Sequence, residues 1–199
     1  PAGGLLRVSR RCVVPGFVGG GEGRWLAARV LVVGLGGLGC PAALYLAAAG
    51  VGQLVLADDD SVELSNLQRQ VAHVEADIGR SKVASAAARI AAINSQTEIE
   101  LVAERLQGEL LQRWCSAVDL VFEASDSFAT RLAVNLACLQ AGKPLVSGAA
   151  VRSEGQVLVI DGLRGTPCYR CLYPQAQEDE NLSCSENGVL APMVGVIGS

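Results

Sequence analysis

The stretch VLVVGLGGLG, residues 30–39, limits the possible folds more than any other part of the sequence. It opens with a run of apolar residues that is typical of a buried parallel β-strand. The glycines that follow match the spacing G-x-G-x-x-G. In this spacing Gly34 allows a tight turn, Gly36 lets the backbone approach a phosphate, and Gly39 allows a helix to pack closely on the strand. The stretch therefore predicts a strand, a phosphate-binding turn and the start of a helix.

Strands and helices are predicted to alternate along the rest of the chain. A strand at 53–57 ends at Asp58, which follows Gly39 by 19 residues and is placed to bind ribose hydroxyls. This alternation predicts an α/β fold, a Rossmann-like doubly wound and mainly parallel sheet with an antiparallel C-terminal portion. Ser81 is expected to cap the helix that follows it. The further predicted strands are 99–103, 120–123, 145–147 and 156–160, and the predicted helices are 38–49, 81–93, 109–115 and 128–141.

The length of the chain, 199 residues, suits one domain with a substantial core. We expect residues 1–29 to form an N-terminal arm and residues 30–199 to form a single nucleotide-binding domain. The last residues, GVIGS, stop within an apolar pattern and lack a helix-ending signal. We therefore expect the domain to be truncated at its C-terminus.

Charge, hydropathy and cysteine content exclude several classes of protein. The net charge of −4 gives no electrostatic support for a nucleic-acid partner. The longest apolar stretches are interrupted and too short to span a bilayer, and no signal peptide is evident. An odd number of cysteines, seven, with a single CxxC pair favours a reducing compartment. These features predict a cytoplasmic protein with neither a membrane nor a nucleic-acid partner.

Two cationic residues bear on whether the glycine turn serves nucleotidyl transfer or NAD(P) binding. Arg69 lies in the polar segment SNLQR shortly after Asp58, and Lys82 lies on the first turn of the next predicted helix. Two cations that converge on a triphosphate suit nucleotidyl transfer, because negative charge builds there in the transition state. The alternative is an NAD(P)-binding oxidoreductase or redox sensor. It would share the turn and Asp58 but would leave Arg69, Lys82 and the motif CYRC without a role.

Several further motifs, in one order, resemble a known family. They are RVLVVGLGGLGCP, LSNLQRQ, GRSKV, PLVSGAAVRSEGQV, PCYRCLYP and GVLAPMVGVIGS. Together they resemble the ThiF/MoeB/HesA family, bacterial relatives of the ubiquitin-activating E1 enzymes. The resemblance implies that residues 30–199 form an ATP-binding adenylation domain that works as a homodimer with Mg²⁺.

The implied substrate is a small ubiquitin-like sulfur-carrier protein that ends in Gly-Gly. Its C-terminal carboxylate would attack the α-phosphorus of ATP, giving an acyl-adenylate and pyrophosphate, in molybdenum cofactor biosynthesis, thiamine biosynthesis or tRNA thiolation. Two other readings remain open. One is a family member that acts on tRNA or another small molecule, and the other is an incomplete, non-enzymatic chain that only binds a partner.

The resemblance also assigns roles to individual residues. Arg69, Lys82 and Asp126 would be catalytic, with Asp126 holding Mg²⁺. Asp126 has an alternative role as the N-cap of the helix predicted from residue 128. Arg10 aligns with an arginine that reaches the partner subunit's nucleotide site, and Arg11 is a rival for that role. The residues expected to contact the nucleotide are Gly37, Asp58, Ser65, Asn66, Leu67, Gln68, Arg69, Lys82, Asp126 and Ser127.

Three cysteines carry expectations of their own. Cys168 and Cys171 have the spacing of half a tetrahedral zinc site. Relatives supply a second CxxC pair, so the resemblance implies Zn²⁺ in the full-length protein, whereas two unliganded thiols are the alternative for this chain. Cys184, in the polar segment NLSCSENG, aligns with a proposed thioester or persulfide acceptor, although nearby acids would raise its pKa.

The only histidine, His73, is expected to be a surface or structural residue rather than an acid–base group.

Overall fold

The computed structural model describes residues 7, 9–10, 21–162, 165–174 and 188–199 of the chain. Within these residues a single sheet has the strand order β3-β2-β1-β4-β5-β6. Strands β1 to β5 run parallel to one another, and β6 runs antiparallel to β5. This topology confirms the predicted doubly wound sheet with an antiparallel C-terminal portion. The strands are β1 Arg29–Val33, β2 Gln53–Ala57, β3 Glu98–Val102, β4 Leu120–Glu123, β5 Leu145–Val151 and β6 Glu154–Ile160.

Helices cover both faces of the sheet. The helices of the described part are α1 Gly21–Ala27, α2 Gly39–Ala48, α3 Lys82–Ile93, α4 Gly108–Ser116, α5 Phe128–Ala141, α6 Tyr169–Leu172 and α7 Ala191–Ile197. Short 3-10 turns occupy Leu64–Asn66 and Glu75–Asp77. None of the described helices combines the length and the apolar character needed to cross a bilayer.

Most predicted elements have bounds within one residue of the structure, and larger differences arise where β5 and β6 pair; helices α1, α6 and α7 were not predicted. Strand β4 and helix α5 have the predicted bounds. Strand β5, predicted to end at Ser147, continues to Val151 because its second half pairs with β6. The hairpin between them turns at Arg152, the one described non-glycine residue with a positive φ, 57°.

The core forms two layers, because successive side chains of each strand point to opposite faces. On one face Leu31 and Val55 pack against α4 and α5. On the other face Val32 and Leu54 pack against α2 and α3. Strand β1 is therefore buried on both sides, as its continuous apolar sequence predicts.

The glycine turn has the conformation that the sequence predicts. Gly34 has φ of +89°, a region that residues with a side chain rarely adopt. A Cβ atom on Gly39 would lie 1.8 Å from the carbonyl oxygen of Gly34, so the first turn of α2 can approach the end of β1 only with glycine here. Pro41 is accommodated in the first turn of α2, where its missing N–H costs nothing.

The start of α3 differs from the prediction. Ser81 occupies the N-cap position, but its hydroxyl makes no capping hydrogen bond and is buried without a partner among the described residues. The N–H of Lys82, the first residue of α3, donates to the carbonyl oxygen of Asp60, 3.0 Å away. The segment that follows β2 therefore satisfies one of the free N–H groups in the first turn of α3.

Candidate active site

A cavity of about 350 Å³ lies at the carboxyl ends of the parallel strands. It is centred where the strand order reverses between β1 and β4, which is where doubly wound sheets bind their ligands. The loops after β1, β2, β3 and β4 contribute to its wall. The polar and glycine residues that line it are Gly34, Gly36, Gly37, Asp58, Asp59, Asp60, Asn66, Arg69, Gln70, Lys82, Glu104, Arg105, Ser125, Asp126, Ser127, Thr130 and Arg131.

Asp58 is fixed at the end of β2. The backbone N–H of Leu35, in the glycine turn, donates to Asp58 Oδ2 over 2.6 Å, and the N–H of Asp60 donates to Oδ1 over 2.9 Å. Burial raises the pKa of Asp58, and the nearby Lys82 ammonium opposes that shift. The acid is therefore tied to the glycine turn, 23 residues earlier in the chain.

Lys82 is a buried cation held by two acids. Its Nζ lies 2.7 Å from Asp60 Oδ2 and 3.9 Å from Asp58 Oδ1. The side chain of Lys82 is 8% exposed, whereas that of Asp60 is 66% exposed. An anion that enters the cavity can therefore compete for the ammonium, because Asp60 can turn away into water.

Arg69 lies against the glycine turn. A Cβ atom on Gly37 would be 3.3 Å from Arg69 Cγ, so the aliphatic part of the Arg69 side chain packs against this glycine. Its Nη1 donates to the carbonyl oxygen of Ser65 over 3.2 Å. Asn66 is buried and accepts the N–H of Glu63 over 3.2 Å, which fixes the turn that carries Arg69.

Asp126 and Ser127 follow β4, and the structure separates their roles. Ser127 is the N-cap of α5, since its hydroxyl accepts the N–H of Thr130 over 3.3 Å. The N-cap alternative for Asp126 is therefore wrong. Asp126 is exposed at the cavity wall, and its carboxylate makes no hydrogen bond or ion pair with any residue that the structure describes.

The remaining sequence expectations fall in three groups. Ser65, Leu67 and Gln68 lie in the turn beside Arg69 but do not line the cavity, so their contact with a nucleotide stays a prediction. Arg10 is exposed and does not line the cavity of this single chain. Cys184 lies outside the described residues.

Cys168 and Cys171 meet the distance requirement for shared metal binding. Their Sγ atoms are 3.6 Å apart, close to the separation of about 3.8 Å for two thiolates that each lie about 2.3 Å from a tetrahedral zinc ion. No third His, Cys, Asp or Glu ligand joins them among the described residues, where the only such cluster is Asp58, Asp59 and Asp60. The pair therefore fits half a zinc site.

His73 is buried beneath the glycine turn. Its Nδ1 lies 2.8 Å from Ser85 Oγ, and its Nε2 lies 3.2 Å from the carbonyl oxygen of Leu35. The Ser85 hydroxyl in turn donates to Asp77 Oδ2 over 2.7 Å. Burial lowers the pKa of His73. The imidazole supports the turn from below and does not line the cavity, which is the structural role that the sequence leaves open.

Several residues of the cavity wall were not predicted from the sequence. Glu104, Arg105 and the largely buried Leu106 follow β3, and no motif identifies them. Glu123 and Arg131 form an ion pair behind Asp126, with Arg131 Nε 3.7 Å from Glu123 Oε2. An acidic residue at the end of the apolar strand LVFE was the signal that could have drawn attention to Glu123.

The chain is similar in sequence to known proteins along nearly its whole length. The chain is 47% identical over 195 residues to the molybdopterin-synthase adenylyltransferase of Salmonella typhimurium, covering 98% of this chain and 78% of that protein. It is 43% identical to the sulfur carrier protein ThiS adenylyltransferase of Escherichia coli, covering 98% and 77%. It is 46% identical to the SAMP-activating enzyme E1 of Haloferax volcanii, covering 98% and 72%.

Solved structures share the fold at lower identity. E. coli MccB, crystallised with AMPCPP and MccA, superposes with a TM-score of 0.83 at 24% identity, covering 96% of this chain and 60% of that chain. PaaA superposes with a TM-score of 0.81 at 21% identity, covering 100% and 62%. The chain thus spans about three-fifths of both solved chains. The profile of the ThiF family matches residues 8–199, and the chain belongs to this family.

Proposed function

We propose that this protein is an adenylyltransferase that activates the C-terminal carboxylate of a small sulfur-carrier protein with ATP, releasing pyrophosphate. One observation carries the proposal: Asp58, Arg69, Lys82 and Asp126 line the same cavity as the glycine turn. The names of the relatives support both the reaction and the substrate class, since they include a molybdopterin-synthase and a ThiS adenylyltransferase.

ATP would lie across the carboxyl ends of the strands. Asp58, held by the backbone N–H of Leu35, would accept hydrogen bonds from the ribose hydroxyls. The base would lie toward Glu104–Leu106, which follow β3 on the same side of the cavity. The phosphates would lie over the glycine turn at the N-terminus of α2, where N–H groups and the helix dipole favour an anion.

Arg69 and Lys82 would then stabilise the charge that develops between the attacking carboxylate and the departing pyrophosphate. Arg69 already lies beside Gly37, and Lys82 is released from Asp60 when a phosphate competes for it. Preorganised cations of this kind act where charge grows during reaction. The attacking carboxylate is ionised at neutral pH, so the step needs no general base, and His73 does not line the cavity.

Mg²⁺ is the expected cofactor, and Asp126 fits it. The Asp126 carboxylate is exposed at the cavity wall without a partner among the described residues, and carboxylate oxygens are preferred ligands of this ion. Bound there, the ion would neutralise phosphate charge. Asp126 would hold it in the cavity that Arg69 and Lys82 also line.

The partner is proposed to thread a Gly-Gly tail into the cavity, because glycine has no side chain to obstruct a narrow path. The same proposal includes a homodimer in which Arg10 reaches the partner subunit's site. It also includes Zn²⁺ held by Cys168, Cys171 and two further ligands. The alternative NAD(P)-dependent oxidoreductase gains no support from the relatives, which are named as adenylyltransferases or as an activating enzyme.

ATP–pyrophosphate exchange tests the proposal. The purified protein is mixed with a sulfur-carrier protein, ATP, Mg²⁺ and labelled pyrophosphate, and incorporation of label into ATP is measured. We expect exchange that depends on the carrier and falls by about 10²–10³-fold in Asp126→Asn and Arg69→Ala, the range for removing one charge-stabilising group. Glu75→Gln and Arg113→Ala, exposed positions away from the cavity, are the matched controls. Exchange that survives both site substitutions would refute the assignment.

A further inference from the structure

The loop that carries Asp126 is held from behind by a buried carboxylate. Glu123, the last residue of β4, has no exposed surface. Its Oε1 accepts the backbone N–H of Ser125 over 2.7 Å and also the Ser125 hydroxyl. Its Oε2 accepts the Ser147 hydroxyl, on β5, over 2.8 Å. Burial raises the pKa of Glu123, and the Arg131 guanidinium and the hydrogen bonds from Ser125 and Ser147 oppose that shift.

Arg131 holds the same loop from the other side. Its Nη2 donates to the carbonyl oxygen of Ser125 over 2.9 Å. Its backbone N–H donates to the carbonyl oxygen of Ser127 over 3.1 Å, within the first turn of α5. Ser125 is therefore held at both its backbone N–H and its backbone carbonyl, and Ser127 is held by its hydrogen bond to the first turn of α5. Asp126 lies between these two fixed residues with its own side chain free to face the cavity.

A purely stabilising role explains this arrangement poorly. Burying an ion pair removes both charges from water, and the resulting penalty commonly equals or exceeds their attraction. The Glu123–Arg131 separation of 3.7 Å is longer than a hydrogen-bonded pair, and Arg131 Nε has no hydrogen-bond partner among the described groups. Most of the hydrogen bonds that the two side chains make go to Ser125, next to Asp126: its N–H and hydroxyl donate to Glu123 and its carbonyl accepts from Arg131, while Ser147 on β5 also donates to Glu123.

We propose that Glu123 and Arg131 are positioning residues that aim the Asp126 carboxylate into the cavity. This inference rests on the proposed function, since it assigns Asp126 the catalytic role. Glu123 does not line the cavity and acts through the Ser125–Ser127 backbone, whereas Arg131 holds the same backbone and also lines the cavity. Their removal is expected to reduce the rate of adenylation in the bound complex while leaving the affinity for ATP, which depends on Asp58 and the glycine turn, unchanged.

A double-mutant cycle tests the inference in the full protein with its carrier. Glu123→Gln keeps the shape of the side chain but removes its charge and places an amide against donors. We expect about 10–100-fold lower kcat for exchange, the usual effect of losing a group that orients a ligand, with an unchanged KM for ATP and a higher Mg²⁺ requirement. In the Asp126→Asn background the same substitution is expected to have almost no effect, because the carboxylate that it positions is already gone.

Two further variants make the test decisive. Glu100→Gln removes the partner of Arg29 from an exposed ion pair outside the cavity, and exchange is expected to stay at the wild-type rate. Arg131→Lys keeps the positive charge but loses the hydrogen bond to Ser125, and it replaces Glu123→Gln in the cycle if that variant does not fold by circular dichroism. Equal losses in both backgrounds, or a loss confined to KM for ATP, would overturn the inference. Absence of exchange in the wild type, or exchange indifferent to Asp126→Asn, would instead overturn the proposed function.

Discussion

Asp60→Asn is expected to tighten ATP binding, although it removes a residue of the cavity wall. Asp60 pairs with Lys82 over 2.7 Å, so a phosphate that binds Lys82 must displace it. Lys82 is 8% exposed but Asp60 is 66% exposed, so water screens the pair from the Asp60 side and we take a contribution of the order of an exposed pair, about 0.3–1 kcal/mol. Removing this competition is therefore expected to lower the Kd for ATP by about two- to fivefold. Asparagine preserves the backbone carbonyl of Asp60 that accepts the N–H of Lys82, so the start of α3 is retained.

Isothermal titration with ATP, at low and at high ionic strength, measures the effect. The gain is expected to shrink with added salt, because screening weakens an exposed pair. The control is the same substitution in a Lys82→Met background, where no lysine remains to be released and the gain is expected to vanish. Weaker ATP binding in Asp60→Asn would show that Asp60 serves the bound nucleotide or its metal ion. A gain that persists without Lys82 would show that the Asp60 carboxylate simply repels ATP. Either result would refute the competition between Asp60 and the phosphate for Lys82.

Two predictions concern the supports of the glycine turn. Gly39→Ala is expected to lower the free energy of unfolding by about 1–3 kcal/mol in urea titrations, because its Cβ would lie 1.8 Å from the Gly34 carbonyl oxygen. Gly21→Ala, with nothing within 4 Å of the added atom, is the control, and equal losses would refute the steric argument. Because burial holds the folded pKa of His73 below its usual 6.5, the unfolded chain binds more protons, and wild-type stability is expected to fall as pH drops through 6.5 toward that lower value. His73→Gln is expected to lack this component of the pH dependence. Since His73 is the only histidine, its imidazole NMR signals report the titration directly, and a midpoint at or above 6.5 would contradict the reasoning.

The order of elements could be predicted because each signal is local. The run Val30–Val33, the glycine spacing and the distance to Asp58 lie within one βαβ unit, and these features alone predict the strand, turn, helix and acid that the structure contains. The second half of β5 could not be predicted, because its residues become a strand only through pairing with β6. The assignment of the helix cap to Ser127 rather than Asp126 depends on which side chain the Thr130 N–H meets, and adjacent polar residues give no sequence signal for that.

The acids that follow β2 border the cavity, and their environments differ. The run Asp58–Asp60 looks like an obstacle to a triphosphate, because three carboxylates there would repel it. The structure gives them different environments: Asp58 is tied to the Leu35 N–H, whereas Asp60 is exposed and pairs with Lys82. Lys82 is nearly buried, and a buried cation without a partner carries a large desolvation cost. An exposed carboxylate that a phosphate can displace offsets that cost, so an anionic segment can border a cavity that is proposed to bind an anion.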